Sequence, residues 1–412
     1  MLRSPIHALV VAAAALCAAS CTDFEGAEPP TDALHFPIGV EAHPGGRYGY
    51  VVNSNFDGKY RFEQGGAVTV LDLSGDSPTP VAGAGVRVAS YGSRIRFIEP
   101  FAGANGRLLV TTRGDNALNV LEVSPDGSRI WCDGDSSFAV AADGTLSERP
   151  EGAHLDTAEA CRVGGLPEDP FAILPLGGSP LAGSPPRIAD HFAITGLGGS
   201  VSIVTLRDLD PTRVDIATLR VESDTTAIAA VGSSLVTASR RAGSLAVTDW
   251  FESTDGGAGI VTRQSSLATP VATTLDARSF GFSSATQRLY LTLGAGDSVL
   301  VLDLSVNNLG RPALDIIDQF RIEGRPTELV VRDSEEGPVL YVLLSERDQL
   351  VAVDGITGAV RGRIEVGSGP ADIVEAPGNR LLVSLFDGDA VRLVGIGDAS
   401  PYDLTLRGTG VP

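Results

Sequence analysis

The chain has 412 residues, of which 43% are hydrophobic and 20% charged, with 49 Gly, 25 Pro and a formal net charge of −20 at pH 7. This is a globular composition long enough for a large core or several small ones, and its many Gly and Pro with few helix-forming runs point to short strands and many turns. The acidic balance argues against a nucleic-acid surface, which needs a basic stripe, and against adhesion to anionic lipid head groups.

The N-terminus differs from the rest. Arg3 supplies a positive n-region, and Ala8 to Ala19 form an apolar run too short to span a bilayer, so residues 1–20 read as a secretory signal. The stretch Ala18-Ala19-Ser20-Cys21 resembles a bacterial lipobox, with Ala18 where Leu is commonest. The resemblance implies cleavage before Cys21 and lipid attachment to it; simple cleavage inside a secretory signal is the alternative. Residues 21–34, acidic and carrying Pro-Pro, then read as a flexible tether. Thr22 lacks the Asp that retains enterobacterial lipoproteins at the inner membrane, so the expected place is the cell envelope, at the outer membrane. Cysteine usage agrees. With Cys17 in the signal and Cys21 lipidated, Cys132 and Cys161 remain as an even pair in an oxidising compartment. A disulfide closing that loop of about 30 residues is worth roughly 3–4 kcal/mol in the chain-entropy model.

From residue 48 onward one figure recurs. YGYVVN followed by AVTVLDL (48–73), RLLVTTRGDNALNVLEV (107–123), HFAITGLGGSVSIVTL (191–206) and SLVTASRRAGSLAVTDW (234–250) come first. RLYLTLGAGDSVLVLDL (288–304), VLYVLLSERDQLVAVDG (339–355) and RLLVSLFDGDAVRLVGI (380–396) complete seven copies. Each is two apolar, β-branched runs joined by a polar or Gly-containing turn, which is a hairpin signal. A further short run precedes most copies, as in FPIGVEA or GPADIVEA, and a fourth follows, as in AVRGRIEVG (359–367). Four strands recurring every 40–55 residues or so predict an all-β, seven-bladed β-propeller of four-stranded antiparallel blades over residues 35–412. A sheet apolar on both faces cannot stand alone in water, but a ring of such sheets covers every face. A β-sandwich or a β-helix is the alternative.

The units resemble the YVTN-type β-propeller repeat. Residues 326–367 match it best through Pro326, Leu340-Tyr341-Val342 and Val351-Ala352-Val353-Asp354, and Tyr50-Val51-Val52-Asn53 and Leu289-Tyr290-Leu291-Thr292 match as well. The fourth unit lacks both the Pro and the Tyr. The resemblance implies the fold rather than an activity.

Antiparallel order gathers the lead-ins to the innermost strands and the hairpins between second and third strands on one face of the ring. Arg94, Arg96, Asp169, Asp276, Arg278, Arg325, Glu328 and Asp372 come from the lead-ins and inner strands. Asn55, Asp57, Arg113, Asp115, Arg347, Asp348, Asp387 and Asp389 come from the hairpins, where turn chemistry is the plainer explanation. The functional reading is a mixed-charge funnel in which Arg94, Arg278 and Arg325 hold an anionic or polar ligand; mutual pairing of the inner charges is the alternative. Strand four of the second unit is expected to end at SRIW (128–131), leaving residues 132–165 as a disulfide-closed insertion on the funnel face, a lid or a decoration.

No GxSxG elbow, HExxH or P-loop occurs, and FDGDA (386–390) is only part of a Ca²⁺ loop. The expectation is therefore a monomeric, non-catalytic binding module with no cofactor or metal, attached to the membrane through its lipid alone, whose partner is an envelope protein or a small polar ligand. The alternative is a lactonase-like, metal-dependent propeller hydrolase using Asp276, Glu328 and Asp372.

Overall fold

A computed structural model describes residues 27–62, 64–99, 105–132, 138–140, 146–148, 161–176, 191–206, 214–241, 244–252, 258–268, 276–304 and 314–411. Residues 1–20, expected to be a secretory signal, and Cys21 lie outside the described residues, as does most of the expected insertion. Among the described residues no helix is long and apolar enough to cross a membrane.

The chain is a seven-bladed β-propeller. Its blades begin with inner strands Pro37–Ala42, Gly92–Ile98, Pro170–Leu176, Thr225–Val231, Ala277–Ser283, Pro326–Ser334 and Pro370–Ala376. Three further antiparallel strands follow outward in sequence order, the outermost being in two pieces in blade 1 (Thr79–Pro80 and Val86–Val88) and in blade 2. The quoted hairpins are the second and third strands of each blade, and their near-continuous burial explains their near-continuous apolar runs.

The core consists of seven apolar clusters, one in each interface between neighbouring blades. The cluster of Val40, Val51, Leu71, Leu73, Leu382, Val391 and Leu393 joins the last blade to the first, so the ring is closed. The tyrosines of the repeat clamp these interfaces. Tyr50, Tyr290 and Tyr341 are fully buried and donate their hydroxyls to the outer turns of the next blade, at Gly127 O (3.0 Å), Gly355 O (2.9 Å) and Pro401 O (2.8 Å). Burial raises the Tyr341 hydroxyl to about 12, so it stays a donor at any ordinary pH.

Two expectations change. The outer strand of the second blade does not end at residue 131. It is split into Ile130–Cys132 and Arg162–Val163, which pair with opposite ends of the third strand, Ala117–Val123. The Cys132–Cys161 disulfide joins the two pieces, with Cα atoms 5.3 Å apart. The insertion thus leaves from mid-height on the outer edge rather than from the funnel face. A two-residue strand piece, Arg-Val, carries too little pattern to be read from sequence. The described part of the tether is also fixed in place. Ala27 bridges to Tyr60, Arg87 holds Pro29 O (3.0 Å) and Glu28 (3.0 Å), and Asn53 donates to Ala33 O (3.3 Å).

Candidate functional site

Each inner strand is preceded by one residue in the left-handed region: Phe36, Tyr91, Asp169, Asp224, Asp276, Arg325 and Gly369, with φ between 42° and 65°. Each of these N–H groups is bonded to the second hairpin of the preceding blade. The acceptor is a side-chain oxygen of Asn116, Asp297, Asp348 or Asp389, or a carbonyl of Ser54, Leu197 or Arg240, at 2.6–3.0 Å. Asp348 and Asp389 are therefore turn and clamp residues, as turn chemistry predicts. Asp115 takes Thr112 Oγ1 (2.6 Å) and Arg162 (3.0 Å), Asn55 holds Tyr60 and Ser90, and Asp57 meets His35 (3.0 Å). Arg347 pairs with the exposed Glu323.

Inside the mouth lies a cavity of about 360 Å³, within the range of small-molecule sites. Arg94, Arg113, Arg240, Arg278, Arg325 and Glu328 supply its charges, and Phe171, Leu197, Ile38 and Phe386 are among its apolar walls. Arg96 and Asp372 are not on this wall. Arg96 faces Glu41 at 3.8 Å, and burial raises the Glu41 carboxyl.

The charges form two groups. Arg94, buried on blade 2, reaches across the channel to Glu328 on blade 6 and to Asp372 on blade 7 (2.5 Å). Asp372 also takes the Val40 N–H (3.1 Å), and the Arg94 guanidinium lies over the Phe171 ring at 5.5 Å. Burial pushes the Glu328 carboxyl up, opposed by Arg94 and reinforced by Asp372. Arg94 is thus a strut between blades, with two carboxylates on one guanidinium.

The second group has the opposite balance. Asp276 meets Arg278 through Nε (2.8 Å) and Nη2 (3.1 Å), Arg240 Nε (3.2 Å) and Arg325 Nη2 (3.3 Å). Burial works against its ionisation, but the arginines outweigh it and hold the Asp276 carboxyl below the usual aspartate range. Burial and the neighbouring Arg240 and Arg325 charges lower the Arg278 guanidinium, against the pull of Asp276. Three guanidiniums on one carboxylate leave a surplus of two positive charges in a half-enclosed site, while Arg113 and Asp169 (3.2 Å) cancel.

Comparison with solved structures returns other propeller-sized chains at low identity. Hydrazine synthase of Kuenenia stuttgartiensis is 12% identical, with a TM-score of 0.55, covering 92% of this chain and 99% of that one. The periplasmic gluconolactonase PpgL of Pseudomonas aeruginosa is 17% identical with a TM-score of 0.52, covering 81% and 86%. Sqt1 of Saccharomyces cerevisiae is 14% identical with a TM-score of 0.52, covering 90% and 97%. These likenesses bear on the fold alone. No protein-family model matches the sequence, and no curated protein matches it either.

The sequence reading brought Asp276, Arg278 and Arg325 together and missed Arg240, the first Arg of SRRAGS in the fourth hairpin. It also missed the aromatic residues at the mouth. Their signal was present, since two Phe stand in the otherwise polar first hairpin, NFDGKYRF.

Proposed function

We propose that this protein is a non-catalytic binding module that captures an anionic ligand in its funnel, on Arg240, Arg278 and Arg325. The observation that carries this reading is the charge inversion: a chain of net charge −20 places three guanidiniums around a single carboxylate on a cavity wall. Arg240 and Arg325 each give Asp276 one nitrogen, and both face the cavity, so forked donors remain for a carboxylate or a similar oxyanion.

Calorimetric titration with citrate tests this. Arg278→Ala with Arg325→Ala should weaken binding by about 2–4 kcal/mol, from the loss of two charge-assisted contacts. Raised salt should weaken the wild type in the same direction. Unchanged citrate affinity in the double variant would remove the proposal.

The lactonase-like alternative needs carboxylates free for a metal. Asp276 is enclosed by arginines, and Glu328 and Asp372 share Arg94. Guanidiniums in those places repel a divalent cation, so the three residues named for the metal do not fit one. Among the described residues no group of three or more His, Cys, Asp or Glu is placed to hold one.

The envelope location belongs to the same proposal and is supported by the lipobox-like Ser20-Cys21 and the Cys132–Cys161 bond. Radiolabelled palmitate should mark the wild type and not Cys21→Ala; equal labelling of both would refute lipidation at Cys21.

A further inference from the structure

We infer that the anion is an amphiphilic carboxylate, whose planar apolar body lies on an arc of aromatic side chains facing the arginines; the inference rests on the anion-binding reading above. Phe386 lines the cavity, and its ring stands 5.0 Å from Phe36 and 5.3 Å from Phe56. Phe56 continues to Tyr91 (6.2 Å), and Tyr91 to Phe62 (5.8 Å). Around the mouth the apolar arc thus runs over blades 7, 1 and 2. It meets the cationic arc where the Arg113 N–H bonds Tyr91 O (3.1 Å). The arginines then follow on blades 2, 4, 5 and 6. The aromatic arc thus reaches the cavity through Phe386, and the arginines of blades 4 to 6 line the cavity from other blades.

Two observations separate this arc from ordinary surface Phe. Phe56 and Phe62 are 56% and 54% exposed, yet they stand on one loop and edge onto the same Tyr91 ring. Other exposed large apolar residues, Phe251 and Phe282 on single strands and Ile316 with Ile317 on an outer strand, have no ring contact with one another or with the cavity. The second observation is conformational. The lead-in position requires positive φ, which Gly369 meets in blade 7 and Asp in blades 3, 4 and 5. Blade 6 places Arg325 there (φ 59°), and blades 1 and 2 place Phe36 (φ 49°) and Tyr91 (φ 57°), so the bulky residues held against their backbone preference are a cavity arginine and two rings of the arc. The ring does not need aromatics at those positions. Edge and face contacts with such rings favour a flat apolar body.

The test uses three probes on purified protein by calorimetry: naphthoate, which has both features, citrate, which has charge alone, and naphthalene methanol, which has the apolar body alone. Naphthoate should bind at least tenfold more tightly than naphthalene methanol. Phe56→Ala should weaken naphthoate about fivefold or more while leaving citrate unchanged, and Phe386→Ala should weaken naphthoate at least as much. Phe56 is exposed, so its truncation leaves the fold intact, and Phe62→Ala gives a second exposed site. Citrate binding that requires Arg278 and Arg325, with naphthoate indifferent to the Phe variants, would overturn the amphiphile and keep the anion reading. Loss of all anion binding would overturn both. Self-association of the wild type in sedimentation that Phe56→Ala abolishes would assign the arc to a second copy and overturn the inference.

Discussion

Arg94→Ala should lower the unfolding free energy by about 3–5 kcal/mol, measured by urea titration at neutral pH, because it leaves two buried carboxylates with no counter-charge. Asp372 is 2% exposed and Glu328 is 9% exposed, and each meets this one guanidinium. Their mutual repulsion, now screened by the positive charge between them, acts directly once it is gone. Adding Glu328→Gln and Asp372→Asn should recover most of the loss, since the remaining amides still accept hydrogen bonds without charge. A cost below about 1 kcal/mol would mean that water screens these carboxylates and that Arg94 is not a strut.

The pH dependence of that variant has a definite sign. Burial already raises the Glu328 carboxyl, and removing Arg94 takes away the charge that opposes the rise. A carboxyl whose folded pKa lies above its unfolded value, about 4.3, penalises folding at higher pH, and the penalty fades as pH falls through the folded pKa. The deficit of Arg94→Ala relative to the wild type should therefore shrink on acidification. The Asp276 carboxyl shifts the other way, held down by its arginines, so its stabilisation is present above about pH 4 and lost as pH falls through the folded value. The wild type weakens on acidification at Asp276, while the variant regains part of its loss at Glu328.

What the sequence could and could not reveal follows from the same geometry. The second and third strands are covered on both faces, so Val, Leu and Ile fill them and the seven hairpins are plain to read. Outer strands touch neighbours on little of their surface. Asp315–Arg321 and Val360–Glu365 are mostly exposed, and their polar patterns carry less signal. The split in the second blade escapes for a different reason: its pieces, Ile130–Cys132 and Arg162–Val163, are largely buried but too short to show a pattern. Topology alone puts Arg94, Arg278, Glu328 and Asp372 near one axis. Which of them pair depends on which blades lie across the channel, and no local pattern encodes that. Tyr50, Tyr290 and Tyr341 mark the repeat in sequence, yet the carbonyls they bind lie 77, 65 and 60 residues further on. Phe56 and Phe62 sit in a long turn whose polar neighbours give it the look of an ordinary loop.

Leu382→Ala should cost about 2–5 kcal/mol and should loosen one place in the ring before others. Leu382 is fully buried in the cluster that joins blade 7 to blade 1. Every blade is a continuous stretch of chain, and the first and last blades exchange no strand. The other six interfaces are crossed by the chain as it passes from an outer strand to the next inner one; this interface is not. Its closure rests on that cluster and on hydrogen bonds. Arg380 donates to Leu73 O and Gly46 O (both 2.6 Å), Ser384 Oγ to Ile38 O (3.0 Å), and the Phe36 N–H to Asp389 (2.6 Å). Leu340→Ala, in the interface of blades 5 and 6, removes a similar buried side chain where a linker still holds the partners together. The two variants should lose similar global stability. Native-state hydrogen exchange should nevertheless differ: in Leu382→Ala, the inner strands of blades 1 and 7 lose protection ahead of blades 3 to 5. Uniform loss across all seven blades would show that the seam opens no more readily than the rest of the ring.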